Sequence, residues 1–311
     1  MKASIFLFHR VSPQRDKLWD PLSPERFDEI LKYVKSKFEI HHAEHILNLN
    51  PAISDEKRAK KPLAAIVFDD GYKDFIEYSL PILKKHNLPA SMYVVTSCVE
   101  SGIPPWTYIL DNALANTKKN KLDIDNSLLP AELKNTLWKN ENAKISYAKK
   151  FKPFLKKISN SKRIELVEQT INSLNDVEMP QKLMMNWNEI NEIKSAGTLI
   201  GSHTVSHPLL AKIETEKEIE NELHLSALTI KKNTGEFPLT ISYPIGSFDE
   251  RVKIIAQKTG YKFGLAVKQQ NYEKSKHDLF EIPRIELYNE PMIKTKLRIN
   301  GTLEKIKNVL K

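Results

Sequence analysis

The sequence predicts an α/β protein built as a distorted or incomplete (β/α) barrel of about seven parallel strands, with an α-helical insertion. Short apolar runs alternate with amphipathic segments, which suits a parallel sheet covered by helices. This alternation stops near residue 104 and resumes near residue 184. Polar residues suited to metal binding follow several of the apolar runs, where barrel enzymes keep their active groups.

The first part of the chain contains three of the predicted strands. Runs of apolar residues predict strands over Ala3–Phe8, Leu63–Phe68 and Ser91–Thr96. Apolar residues at helical spacing predict helices over Pro24–Phe38 and Tyr72–His86. Strand and helix therefore alternate along this part of the chain.

The last part of the chain resumes the same alternation. Strands are predicted over Leu199–Ser202, Thr240–Tyr243, Gly264–Val267 and Phe280–Leu287. Helices are predicted over Asn188–Ala196, Glu214–Thr234 and Phe248–Thr259. Between the two parts, residues 104–183 are rich in Lys and Asn and carry few strand signals. We therefore expect a single domain over residues 1–311, with residues 104–183 as a helical insertion within it.

Composition limits the class of protein. The chain has 311 residues, of which 41% are hydrophobic, enough for a sizeable core. Its one cysteine, Cys98, excludes an intramolecular disulfide and a Cys-rich zinc site. The net charge of +9 lies largely in Lys-rich stretches without an Arg-rich arm, so we expect no nucleic-acid partner. An anionic small substrate or a membrane-surface phosphate would suit this charge, and so would a solvated lysine surface.

The N-terminal apolar run is short, and no run approaches the length of a membrane span. We therefore expect a cytoplasmic protein without a transmembrane segment. Peripheral contact with a membrane stays open.

Two adjacent carboxylates, Asp69 and Asp70, follow the strand predicted over Leu63–Phe68. Consecutive strand residues point to opposite faces, so both can serve one site only where the strand ends. Gly71 supplies such a break. The alternative is a helix N-terminus, where aspartate is favourable for structural reasons alone.

Two histidines, His203 and His207, follow the strand predicted over Leu199–Ser202. Histidines four residues apart can reach one ion if the segment is helical or tightly turned. Two unrelated loop residues are the alternative. Together, the two histidines and the two carboxylates could bind a divalent metal and leave one carboxylate to act as a base.

Taken jointly, these segments resemble the polysaccharide deacetylase family, also called the NodB-homology or carbohydrate esterase 4 family. Residues 68–72, Phe-Asp-Asp-Gly-Tyr, resemble its first signature, and residues 203–208, His-Thr-Val-Ser-His-Pro, resemble its metal-binding signature. Residues 243–246, Tyr-Pro-Ile-Gly, resemble its groove-forming segment. The resemblance covers roughly residues 1–100 and 184–290 and implies a metal-dependent deacetylase on a distorted (β/α) barrel.

The resemblance also implies a role for each matching residue. Asp70, His203 and His207 would be the metal ligands, and Asp69 the catalytic base. Such a site keeps open positions for water and a substrate carbonyl, and the metal acidifies the water. Zn²⁺ is the default ion, and Co²⁺, Ni²⁺ or Fe²⁺ would also suit these ligands. A backbone N–H at Ile245, where the family usually has tyrosine, would stabilise the oxyanion.

The sequence departs from the family pattern at two catalytic positions. The groove segment lacks the family's arginine, and Arg284 could replace it by pairing with Asp69; a surface strand residue is the alternative. The family's C-terminal histidine, its general acid, is also missing, and Asn289 stands in the nearest matching string. His9 ends the first strand and is the better candidate for the acid, although a structural role is equally open. We assign its neighbour Arg10 to substrate binding.

Substrate contacts are expected from the groove segment and from the start of the insertion. Aromatic residues can stack on a sugar ring, and Trp106 is placed where a lid would leave the barrel. The expected substrate-binding residues, besides Arg10, are Trp106, Tyr243, Pro244, Ile245 and Gly246.

The function predicted from the sequence is removal of an N-acetyl group from an amino sugar. The expected cytoplasmic location suggests an intermediate in the synthesis of a surface polysaccharide such as O-antigen or capsule. This intermediate would be a sugar linked to a nucleotide or to a lipid, and both kinds of linked sugar are anionic. Two alternatives remain at this point. One is hydrolysis of an O-acetyl group or a non-sugar amide, and the other is a barrel that binds sugar without turnover.

Overall fold

The computed structural model describes residues 1–48, 61–124, 127–134 and 136–303. Residues 125, 126 and 135 of the predicted insertion, and parts of the predicted 1–311 domain, therefore lie outside the described residues. The strands are β1 (Lys2–Phe8), β2 (Glu39–Ile40), β3 (Leu63–Asp70), β4 (Ser91–Val94), β5 (Leu199–Ser202), β6 (Thr240–Ser242), β7 (Phe263–Leu265), β8 (Tyr272–Glu273) and β9 (Ile285–Glu286).

At least one α-helix lies between each pair of consecutive strands from β1 to β7, and among the described residues none lies between β7, β8 and β9. The α-helices are α1 (Pro24–Lys37), α2 (Ala43–Asn48), α3 (Leu80–His86), α4 (Thr96–Ser101), α5 (Trp106–Asn116), α6 (Glu141–Leu155), α7 (Asn160–Ser173), α8 (Trp187–Ser195), α9 (Glu216–Thr234), α10 (Glu250–Thr259) and α11 (Met292–Ile299). No helix among the described residues is both long enough and apolar enough to cross a membrane.

The strands form one curled, mostly parallel sheet. The parallel row runs β9-β1-β3-β4-β5-β6-β7, with β2 alongside β3 and the antiparallel β8 on β1. A parallel bridge from Leu265 to Ile282 joins β7 to the segment that leads into β9, so the two ends of the row approach each other. This arrangement confirms the predicted distorted barrel of about seven parallel strands.

Alternating side chains of the strands fill two layers of the core. Leu7, Ala65 and Val67 belong to the apolar cluster inside the barrel, which also holds Tyr93. Their chain neighbours, Phe8 among them, pack outward against α1 and the other covering helices. Successive side chains of a strand point to opposite faces. Odd-numbered residues of β3 therefore enter the inner layer, and even-numbered residues enter the outer layer.

The same alternation determines where the two carboxylates at the end of β3 point. Asp69 continues the inward series of Ala65 and Val67. Asp70 would continue the outward series, but its φ of 77° ends the regular strand and redirects its side chain. The break needed for both groups to face one site therefore begins at Asp70 itself, one residue before the predicted position at Gly71.

Two predicted elements differ from the structure at a proline. The predicted helix over Tyr72–His86 begins with a π-helical turn over Phe75–Ser79 and becomes α-helical at Leu80. Pro81 lacks the N–H that a regular helix would use at this point. The predicted strand over Phe280–Leu287 is reduced to β9, because Pro283 interrupts the hydrogen-bond ladder.

The predicted helical character of residues 104–183 is seen in α5, α6 and α7. These helices pack around an apolar cluster of their own, which includes Leu110, Leu114, Phe151, Leu155 and Leu166. The sequence did not predict α4, which begins at Thr96, where the strand prediction ended.

Candidate active site

The carboxyl ends of the parallel strands bring the chemically active residues into one cavity of about 370 Å³. β3 contributes the two aspartates, while His9 and His203 directly follow β1 and β5. The cavity is lined by His9, Trp19, Asp69, Asp70, Thr107, Asp111, Lys152, Lys156, His203, His207, Ile245, Val267 and Glu286.

Asp70, His203 and His207 form a buried cluster with the spacing of a metal site. One Asp70 oxygen, Oδ1, lies 3.4 Å from Nε2 of each histidine. Zn²⁺ bonds to such ligands are about 2.0–2.2 Å long, so two tetrahedral ligands stand roughly 3.3–3.6 Å apart. Asp70 Oδ1 is buried and has no hydrogen-bond partner among the described residues. Spacing, donor types and this unused oxygen all fit a divalent cation.

Hydrogen bonding prepares His203 to bind a cation through Nε2. Its Nδ1 lies 2.7 Å from the carbonyl oxygen of Ser242, which can only accept a hydrogen bond. Nδ1 therefore carries the proton, and the lone pair of Nε2 points toward Asp70. Burial lowers the pKa of His203, but the Asp69 and Asp70 carboxylates outweigh it and raise the pKa above its ordinary value. A cation would thus compete with a proton for this nitrogen.

His207 is held as a neutral imidazole. Burial lowers its pKa to about 3, despite the nearby Asp70 carboxylate. Burial alone would raise the pKa of Asp70, but the two histidines lower it below its ordinary value. A neutral imidazole and an ionised carboxylate are the forms that bind metals.

The loop that carries the two histidines is a strained turn rather than a helix. Thr204 and His207 have φ values of 71° and 59°, which are uncommon for residues other than glycine. Glu222 of α9 accepts hydrogen bonds from the N–H groups of Val205 and Ser206, each at 2.9 Å. Anchoring by Glu222 holds the turn that brings both imidazoles to Asp70.

Trp106, at the start of α5, supports the same loop. Its indole N–H donates to the carbonyl oxygen of His207 at 3.0 Å. The guanidinium of Arg163, from α7, lies 4.5 Å from the centre of the indole ring. Trp106 is not among the cavity-lining residues, so this position does not support the predicted stacking of Trp106 on substrate. Instead, it links the helical insertion to the backbone of a candidate ligand.

Asp69 lies beside the metal cluster in a fully buried ion pair. Its Oδ1 accepts a hydrogen bond from Arg284 at 2.8 Å, and its Oδ2 accepts one from Ser242 at 3.0 Å. Burial would raise the pKa of Asp69, but Arg284 and then His203 lower it below its ordinary value. Of the two alternatives for Arg284, the structure shows the pairing with Asp69, since Arg284 has no exposed surface.

His9 lines the same cavity from the end of β1. Its Nδ1 lies 3.7 Å from a carboxylate oxygen of Glu286 in β9, and its ring packs edge-on against Trp19. These contacts orient the ring next to the candidate metal site. Glu286 and Trp19 carry no signal in the sequence that predicts this role.

The groove segment contributes one residue to the cavity wall. Ile245 lines the cavity with a φ of 59°. The hydrogen bonds of this turn are donated by Gly246 and Ser247, so the Ile245 N–H lies outside them. At Gly246, with a φ of 71°, an added Cβ would lie 3.0 Å from a side-chain carbon of Val267. Glycine here is required by the backbone and supports the turn.

The side chains of Tyr243 and Arg10 do not support their predicted contacts with substrate. The Tyr243 ring is fully buried and its hydroxyl donates to the carbonyl of Phe280, while Pro244 is also buried. The Arg10 guanidinium donates to Asp74 at 2.8 Å and to Asp16 at 2.7 Å. Its donors are thus used in holding the loop after β1.

Comparison with known proteins identifies the family. The sequence profile of the polysaccharide deacetylase family matches residues 56–264, about two thirds of the chain. The chain belongs to this family. Family members are metal-dependent hydrolases of amide bonds, which agrees with the Asp70, His203 and His207 cluster. His9, Arg284 and Glu286 lie outside the matched range.

Solved structures of other deacetylases share the fold. The Streptococcus pyogenes deacetylase PplD in complex with acetate is 17% identical, with a TM-score of 0.62 over 96% of this chain and 98% of that one. IcaB from Ammonifex degensii is 14% identical, with a TM-score of 0.60 over 97% of each chain. A de-N-acetylase from Aggregatibacter actinomycetemcomitans is 14% identical, with a TM-score of 0.57 over 96% and 100%. No curated protein sequence matches the chain.

Proposed function

We propose that this polysaccharide deacetylase removes the acetyl group from an N-acetylated amino sugar, with a divalent metal held by Asp70, His203 and His207. The observation that carries the proposal is the buried cluster of these residues next to Asp69 in one cavity. The bound ion would polarise the acetyl carbonyl and acidify a water. Zn²⁺ is the expected ion, with Co²⁺, Ni²⁺ and Fe²⁺ as alternatives.

The remaining steps are proton acceptance, stabilisation of the oxyanion and proton donation, and each is assigned to a different residue of the protein. Asp69, kept ionised by Arg284, accepts the proton of the attacking water. The Ile245 N–H, left outside the hydrogen bonds of its turn, stabilises the oxyanion. His9, oriented by Glu286, donates a proton to the departing amine.

The proposed substrate is a nucleotide- or lipid-linked intermediate of surface-polysaccharide synthesis in the cytoplasm. Both kinds of carrier are anionic, and the net charge of +9 favours an anionic ligand. We further propose that residues 104–183 belong to one catalytic domain with the barrel. Thr107, Asp111, Lys152 and Lys156, all from this segment, line the cavity and support that arrangement.

Acetate release from a panel of acetylated compounds tests the proposed function. The panel contains an N-acetylated amino sugar, free and linked to a nucleotide or a lipid phosphate, with an O-acetylated sugar and a non-sugar amide. We expect acetate and free amine in equal amounts from the N-acetylated sugars, and only with metal present. Acetate from the O-acetylated sugar or the non-sugar amide alone would change the substrate class. Sugar binding without acetate release would indicate a non-catalytic barrel.

Replacing His9 with alanine should lower kcat by about 10²–10⁴-fold, with a smaller effect on KM, because the departing amine loses its proton donor. The measurement is steady-state acetate release, together with the metal content of the variant. His224→Ala, at an exposed position of α9, is the matched control. An unchanged kcat in His9→Ala would leave the general acid unassigned.

Replacing Trp106 with phenylalanine should weaken metal binding by about tenfold, because the strained His207 backbone loses a hydrogen bond that holds it. The dissociation constant of Zn²⁺ is measured by competition with a chromophoric chelator. Trp187→Phe is the control, since the Trp187 indole nitrogen has no hydrogen-bond partner among the described residues. Equal Zn²⁺ affinity in Trp106→Phe and the unmodified protein would contradict this role for the indole N–H.

A further inference from the structure

The helical insertion contributes a charged wall to the catalytic cavity. Thr107 and Asp111 come from α5, Lys152 comes from α6, and Lys156 directly follows the end of α6. None of these residues belongs to the motifs that the sequence shares with the deacetylase family. The insertion therefore gives this chain a cavity surface that the barrel alone does not provide.

The two lysines of this wall differ in their partners. Lys152 forms an ion pair with Asp111. Lys156 has no carboxylate within 4.0 Å in the part of the chain that the structure describes. The other acidic group near it, Glu286, already accepts a hydrogen bond from Tyr288 at 2.5 Å and faces His9. Lys156 therefore lines the cavity without a carboxylate in direct contact, although Glu286 and Asp111 attract it from a longer distance.

The environment of Lys156 makes this charge costly. The side chain is partly buried. Burial lowers the pKa of Lys156 and repulsion from Lys152 lowers it further, and together they outweigh the attraction of the Glu286 and Asp111 carboxylates. An ammonium group that loses water is destabilised unless a carboxylate in direct contact replaces that water. An anion that enters the cavity would offset this cost, and a substrate can supply one.

We propose that Lys156 binds a phosphate group of the substrate and makes the enzyme selective for a phosphate-linked N-acetylated amino sugar. This inference rests on the proposed deacetylase function and names the substrate class of the same site. Phosphate fits because it offers several oxygens to the lysine and to the hydroxyl of Thr107, which lines the same cavity. A nucleotide-linked sugar and a lipid-linked sugar share this chemistry.

Equilibrium binding to the metal-loaded protein tests the inference with two probes, N-acetylglucosamine 1-phosphate and N-acetylglucosamine. We expect the phosphorylated probe to bind about 10- to 100-fold more tightly, as a charge-assisted hydrogen bond allows. Lys156→Gln should lose most of this preference and keep its affinity for the neutral sugar. Any contact between the phosphate and the metal ion is the same in the unmodified protein and in Lys156→Gln. The difference in their preference for the phosphorylated probe therefore reports the contribution of Lys156.

Lys149→Gln is the matched control, because Lys149 is an exposed lysine of the same helix. It should keep the preference for the phosphorylated probe. Equal binding of the two probes, no binding of either, or an unchanged preference in Lys156→Gln overturns the inference. If the preference depends on Lys156 but neither probe releases acetate, the anion site stands and the proposed deacetylation of these sugars fails. UDP-linked and polyprenyl-phosphate-linked N-acetylglucosamine then distinguish the two carriers.

Discussion

Replacing His207 with alanine is expected to abolish stable metal binding and, with it, acetate release. The three candidate ligands share a small buried site, where Asp70 Oδ1 lies 3.4 Å from Nε2 of each histidine. Removing one of three protein ligands leaves two, too few for a firmly held catalytic ion. The purified variant should contain less than about a tenth of the metal of the unmodified protein. Elemental analysis after dialysis against a weak chelator measures this loss.

The fold of His207→Ala should survive, because the loop that carries His203 and His207 keeps its hydrogen bonds to Glu222. Circular dichroism and thermal unfolding provide this check. His224→Ala, which removes an exposed histidine, should keep full metal content and activity. Full metal occupancy in His207→Ala would show that His207 is not a ligand. Asp70→Asn should weaken metal binding in the same way, since an amide is a poorer ligand than a carboxylate.

Replacing Asp69 with asparagine should leave the metal in place and lower kcat by about 10²–10⁴-fold. An amide cannot accept the proton of the attacking water at neutral pH. The same substitution should also lower thermal stability, because Arg284 is fully buried and loses its counter-ion. Breaking a buried ion pair costs about 3–5 kcal/mol, and the amide oxygen, which can still accept a hydrogen bond, reduces that cost.

A double variant separates the catalytic effect from the effect on stability. Asp69→Asn combined with Arg284→Gln removes the unpaired charge and should recover part of the lost stability, while kcat stays low. Recovery of activity together with stability would mean that Asp69 acts through folding rather than as a base. Equal loss of metal in Asp69→Asn and Asp70→Asn would remove the distinction between base and ligand.

Local signals explain why most of the barrel could be predicted from the sequence. The strands over Leu63–Asp70 and Leu199–Ser202 each contain a short apolar run. Such a run can be recognised in the sequence without knowledge of distant residues. Prediction failed where one residue changes the backbone. Pro81 and Pro283 interrupt regular elements, and the effect of each depends on the neighbouring segment. The left-handed conformation of Asp70 is a further example, since aspartate itself does not require it.

In the active site, too, residues in local motifs could be predicted, whereas contacts between distant parts of the chain could not. Asp69, Asp70, His203 and His207 could be proposed from two short motifs. The pairing of Arg284 with Asp69 joins residues 215 positions apart, and the sequence left it open. Glu222, Glu286 and Lys156 reach the site or its loop through the packing of separate elements. Sequence periodicity carries no information about such contacts.

Metal titration of the chelated protein measures whether catalysis depends on the proposed ion, with acetate release from an N-acetylated amino sugar as the readout. The chain is first stripped by a strong chelator, and Zn²⁺ or Co²⁺ is then added in small steps. The structure predicts that activity is absent without metal and rises linearly to a plateau at one equivalent per chain. His207→Ala should show no such rise at one equivalent. Acetate release that persists in the fully chelated protein would contradict a metal-dependent deacetylase built on Asp70, His203 and His207.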